Sequence, residues 1–127
     1  MRSFPVPRSV ARAAALIALA IGLTGFTFFH NKLEKSAPAA DEQLAAAPKQ
    51  IQLWFHEKPE PALTSIAVVG ADSTKVATGK VHPTDNPLSV AAPVTGAMAP
   101  GTYIVRWKTS GKDGHVIKGT FTFRIAK

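Results

Sequence analysis

After His30 the apolar residues of this chain repeat every second position, in runs broken by Pro and Gly. Ile51, Leu53 and Phe55 alternate with Gln52, Trp54 and His56. Tyr103, Val105 and Trp107 repeat the pattern, and Phe121, Phe123 and Ile125 close it. A period of two turns one face of a strand to a core and the other to solvent, and no stretch after residue 30 shows a helical period. Between these runs, Gly70–Ser73 reads as a hairpin connection joining strands over 64–69 and 74–81. Pro83–Pro87 is a loop, 88–91 a short strand, and Pro100-Gly101 and Lys112–His115 are turns. The stretch 36–48 reads as loop with one helical turn. Short strands at such spacing predict an all-β, immunoglobulin-like antiparallel sandwich, and the 98 residues from His30 to Lys127 suit one domain of that kind. Its inner face is expected to hold Leu33, Ile51, Leu53, Phe55, Tyr103, Val105, Trp107, Phe121 and Phe123.

The first 29 residues are of another kind. Ala13–Phe29 is a run of 17 residues without a charge, preceded by Arg2, Arg8 and Arg12. Positive flanks before an apolar run mark a secretory signal or a membrane anchor. As a helix the run spans roughly 25 Å, at the short end of what crosses a bilayer. Residues 1–29 are therefore expected to be a signal peptide or N-terminal anchor that exports the domain of residues 30–127. Signal cleavage just before His30 would put Phe29 where the peptidase takes a small residue.

Charge and composition exclude several functions. The net charge of +7 falls to +4 over residues 30–127, where 12 basic and 8 acidic side chains are dispersed rather than clustered with aromatics. That is not the footprint of a nucleic-acid binder. With no cysteine, disulfides, thiolate metal sites and thiol catalysis are ruled out. There is no HExxH, phosphate-cradling Gly-rich loop or GxSxG.

Four histidines remain: His30, His56, His82 and His115. Asp113-Gly114-His115 is the most informative context. In extended backbone residues i and i+2 share a side, so a carboxylate and an imidazole could converge on one ion. The same triplet also reads as an Asp-Gly hairpin turn that His115 merely follows. His56-Glu57 reads as a solvated strand end and His82 as an exposed loop residue. Met98 is the one methionine after residue 30, and a single thioether cannot build a Cu(I) site. Tyr103 and Trp107 read as core.

Taken in order, these segments resemble the CopC family of copper-binding proteins. The resemblance runs from His30-Asn31-Lys32-Leu33 through Ile51–Glu57, Leu88-Ser89-Val90, Pro100-Gly101-Thr102-Tyr103 and Val105-Arg106-Trp107. It ends on Asp113-Gly114-His115 with Lys118-Gly119-Thr120-Phe121-Thr122-Phe123, and so covers essentially all of residues 30–127. It implies a cupredoxin-like Greek-key sandwich of about seven strands holding one Cu(II) at one end. His30 would chelate through its α-amine and ring, Asp113 and His115 would complete the metal ligands, and Glu57 would accept from the amine. Nitrogen donors with a carboxylate oxygen suit Cu(II). The Met-rich loop of some members is missing, so one site is implied. A periplasmic role in copper resistance, buffering or transport follows, as a non-enzyme and monomer, with an inner-membrane copper transporter as the possible recipient.

Two other functions compete. Lytic polysaccharide monooxygenases also use an N-terminal His brace, but they are larger and set copper in a broad flat face, for which this domain has little room. The other is a sandwich module that binds protein partners with its copper ligands unused.

Overall fold

The computed structural model describes residues 31–127, so the expected signal or anchor (1–29) and His30 lie outside the described residues. Nine strands are found among the described residues: β1 (Leu33–Ala37), β2 (Gln43–Leu44), β3 (Gln50–Phe55), β4 (Ser65–Gly70), β5 (Lys75–Val76), β6 (His82–Pro83), β7 (Ser89–Pro93), β8 (Gly101–Ser110) and β9 (Val116–Ile125). They form a four-stranded sheet ordered β1-β3-β7-β6 and a five-stranded sheet ordered β2-β9-β8-β4-β5. The all-β sandwich expected from the alternation is the fold.

The period of two decides what lies between the sheets. Ile51, Leu53 and Phe55 of β3 meet Tyr103, Val105 and Trp107 of β8 and Phe123 and Ile125 of β9 in one core, to which Ile66, Val68, Val90 and Ala92 also belong. Phe55 sets its ring edge-on to Trp107 at 5.4 Å, and Tyr103 stacks on Phe123 at 5.6 Å. Leu33 and Phe121 are only partly buried, being packed at the side of the core rather than within it.

Three segments depart from the sequence reading. The strand expected over 74–81 is reduced to Lys75–Val76. Beyond it the chain leaves the five-stranded sheet, touches the other sheet at a Thr78↔Val94 bridge and joins it as β6. A Cβ at Gly79 would lie 2.5 Å from Pro93 Cγ, so the chain crosses between sheets where only a glycine fits. His82-Pro83, expected as the start of a loop, forms the short edge strand β6, where a proline is tolerated. The stretch 36–48 holds no helix. β1 runs to Ala37, and Gln43–Leu44 pairs parallel to β9.

Candidate metal centre

Three pieces of backbone meet at one end of the sandwich. β1 and β3 are antiparallel with Leu33 opposite Phe55, so the residues before β1 lie beside those after β3. The His56 amide donates to the Lys32 carbonyl at 2.9 Å, and the Glu57 amide donates to Asn31 Oδ1 at 2.9 Å. β8 and β9 close their hairpin with Ser110 opposite Val116. The Glu60 amide donates to the Ser110 carbonyl at 3.1 Å, lacing the segment after β3 to that hairpin. The start of β1, the end of β3 and the β8–β9 loop therefore share one end.

Asp113 and His115 occupy this loop. Their side chains meet, but not by the extended-backbone route expected from the sequence. The loop is a turn in which Gly114 donates to the Gly111 carbonyl at 3.1 Å and takes φ +79°. That left-handed conformation favours glycine. Asp113 Oδ1 accepts the His115 backbone N–H at 3.1 Å, an Asx turn, and Oδ2 stands 2.9 Å from His115 Nδ1. The hairpin-turn reading and the convergence reading thus describe one structure, because the turn brings the two side chains together. Both are accessible, His115 at 71% and Asp113 at 39% of full side-chain exposure. A carboxylate so placed orients the imidazole, as carboxylates do behind metal-bound histidines. The 2.9 Å separation also suits direct ligation by both groups. Two donors about 2.0 Å from an ion and at right angles lie about 2.8 Å apart.

The other expected residues are distributed as follows. Glu57 sits at the same end, exposed, its backbone held by Asn31. His30, immediately before Asn31 in the chain, lies outside the described residues. Among the described residues no group of three or more His, Asp or Glu side chains is placed to hold a metal. His56 pairs through Nδ1 with Glu34 Oε1 at 3.1 Å, a partner the sequence reading did not supply. Glu34 reaches it from the bulge that shifts register between Leu33 and Lys35. His82 is exposed, with Nδ1 2.9 Å from the Pro83 carbonyl. Tyr103 and Trp107 lie in the core as expected, Met98 packs against it, and the Tyr103 hydroxyl donates to the Ala99 carbonyl at 2.6 Å.

Asn31 is the residue that sequence reasoning missed. Its Oδ1 accepts two backbone N–H groups, from Lys32 and from Glu57, both at 2.9 Å. Its Nδ2 is buried with no partner among the described residues. One side chain thereby ties the start of β1 to the end of β3. The only signal in the sequence is an Asn ahead of a strand, a common capping context that does not name Glu57 as the partner.

Comparisons with known proteins match the sandwich over nearly its whole length. The CopC domain family matches residues 33–126. Protein YobA of Escherichia coli (strain K12) is 31% identical over 120 residues, covering 93% of this chain and 95% of that protein. Copper resistance protein C of Xanthomonas campestris pv. juglandis is 29% identical over 125 residues, covering 93% and 96%. Among solved structures, CopC from Methylosinus trichosporium OB3b aligns with a TM-score of 0.70 at 28% identity, over 76% of this chain and 94% of that one. PcoC from Escherichia coli, a methionine-rich copper resistance protein, aligns with a TM-score of 0.68 at 33% identity, over 76% and 99%. With the domain match over residues 33–126, a relative 31% identical along nearly its whole length and the shared two-sheet sandwich, the chain belongs to the CopC family.

Proposed function

We propose that this chain is an exported copper-binding protein that carries one Cu(II) at the hairpin end of its sandwich. In this reading residues 1–29 direct export or tether the protein to the inner membrane, and residues 30–127 are the periplasmic copper domain. Copper is cargo, held for buffering, resistance or delivery to a membrane transporter, and no reaction is catalysed. The observation that carries the reading is the Asp113–His115 pair, an oxygen and an imidazole nitrogen 2.9 Å apart on an accessible loop. A carboxylate and an imidazole suit Cu(II), and the lone Met98 after residue 30 gives no soft cluster for Cu(I). His30 supplies the remaining nitrogen donors, and Glu57 stands by to accept from an amine.

A titration with competing chelators tests this. Residues 30–127 with a free amino group on His30 bind one Cu(II), more tightly than Zn(II) or Ni(II). His115→Ala and Asp113→Ala each weaken binding, by about 10–100-fold or more, and the double variant loses less than the product because the ligands act as a unit. Extending the chain ahead of His30 does comparable damage by removing the free amine alone. Unchanged affinity in His115→Ala refutes the reading.

A further inference from the structure

Positive charge is concentrated on one sheet, since the strands of the four-stranded sheet carry only Glu34 and Lys35 as charged residues besides the histidine of β6. The strands of the five-stranded sheet carry Lys75, Arg106, Lys108, Lys118 and Arg124 and not one carboxylate. On β8 and β9 the register puts Arg106 opposite Thr120 and Lys108 directly opposite Lys118. All four of these side chains are exposed, on the face turned away from the core, since Val105, Trp107 and Thr109 between them are buried. Ser65 and Ala67 complete a shallow groove with them. Like charges directly across a ladder are destabilising, so this part of the sheet is arranged at a cost to the free domain and is relieved by an anion.

Two further features select the anion. Val116, 60% exposed, lies two residues before Lys118 on β9, and Leu63, 55% exposed, lies two residues before Ser65, which pairs with Lys108. Aliphatic side chains beside cations match the boundary between phospholipid headgroups and acyl chains. Asn31 is at the hairpin end, and the uncharged run Ala13–Phe29 stops two residues before it, a span of at most about 7 Å. A bilayer that holds that run therefore holds this end of the domain at its surface.

We propose that the outer face of the five-stranded sheet, at its hairpin end, docks on an anionic phospholipid surface through Arg106, Lys108 and Lys118 with Val116 and Leu63 as its apolar contacts. The inference goes beyond copper binding and does not depend on it, and it concerns the chain with residues 1–29 attached, in which His30 has no free amine. Each cation near an anionic leaflet contributes about fivefold to the docking equilibrium, and the contribution falls with salt.

The chain has no cysteine, so Thr120→Cys places a single thiol on this face for a fluorophore. The labelled full chain is added to vesicles of phosphatidylcholine, alone or with phosphatidylglycerol, containing a headgroup-attached quencher. The expected result is quenching at least about twofold stronger with phosphatidylglycerol, reversed by salt. Lys108→Gln with Lys118→Gln brings it down to the phosphatidylcholine level. Lys49→Gln with Lys80→Gln removes the same net charge elsewhere and leaves quenching unchanged. Circular dichroism checks that every variant is folded. Equal loss in both double variants would mean that net charge alone acts, and overturns the proposal. Equal quenching by the two lipids in the unsubstituted chain also overturns it, and leaves an acidic protein as the partner of this face.

Discussion

At Gly119 the two strands of the long hairpin leave no room for a methyl group. A Cβ built there lies 2.7 Å from Cζ2 of Trp107, its direct cross-strand partner. The indole cannot swing aside freely because Phe55 packs edge-on against it. Gly119→Ala is therefore expected to cost about 1–3 kcal/mol, the usual penalty for overpacking, measured by urea unfolding. Asn31 acts by hydrogen bonding instead. Removing its Oδ1 leaves the Glu57 amide without its acceptor and removes one of the bonds between the start of β1 and the end of β3, the His56 amide on the Lys32 carbonyl being kept. Asn31→Ala should weaken Cu(II) binding about tenfold, while Asn31→Asp, which keeps the acceptor, should retain most of it. An affinity that does not change in Asn31→Ala removes Asn31 from the site. These residues also mark where sequence reading stops. Asp113 and His115 are two positions apart, so a local motif announces them. Asn31 and Glu57 are 26 positions apart and meet only after β1 and β3 pair. Gly119 has an ordinary strand context, and its reason for being glycine is a ring on the neighbouring strand.

Among the elements, the strands that were legible are the long ones with one face in the core. β3, β8 and β9 carry an alternation that burial alone enforces, and they fold where that alternation lies. Lys75–Val76, His82–Pro83 and Gln43–Leu44 have two residues each, too few for a period, and are set by which sheet the chain can reach. The core positions separate in the same way. Phe123 is fully buried and Phe121 only partly. Phe123→Ala should cost about 3–5 kcal/mol, and Phe121→Ala clearly less, a difference that chemical denaturation resolves. The β4–β5 hairpin gives a prediction in pH. Asp72 Oδ1 accepts the Thr74 amide at 3.0 Å, and that bond holds its carboxyl below the ordinary value of 3.8. A group depressed in the folded state stabilises above its unfolded pKa, and the contribution is lost as pH falls through the folded one. Asp72→Asn keeps an acceptor but cannot titrate. Its stability should fall less than that of the unsubstituted domain as pH drops from 5 into the range below 3.8.

For the molecule as a whole, the copper site proposed above draws on both sheets. Asn31 and Glu57 flank β1 and β3 of the four-stranded sheet, while Asp113 and His115 cap the β8–β9 hairpin of the five-stranded one. An ion held between these sets binds the folded chain and has no comparable site on the unfolded one. It must then stabilise the fold by linkage, by about 2.7 kcal/mol when free copper is a hundredfold above its dissociation constant. For a domain of this size that is a rise in melting temperature of roughly 10–20 °C. The apo fold, by contrast, owes little to the ligands. His115 is 71% exposed on a loop beyond the last paired residues, so His115→Ala should change apo stability by no more than about 0.5 kcal/mol. Calorimetry of residues 30–127 and of the His115→Ala variant, each with and without Cu(II), separates the two contributions. The expected outcome is equal melting temperatures without copper and a copper-dependent rise in the unsubstituted domain alone. A variant that melts early without copper would make His115 part of the fold's own stability. A variant that still gains the full rise would place the copper elsewhere on the chain.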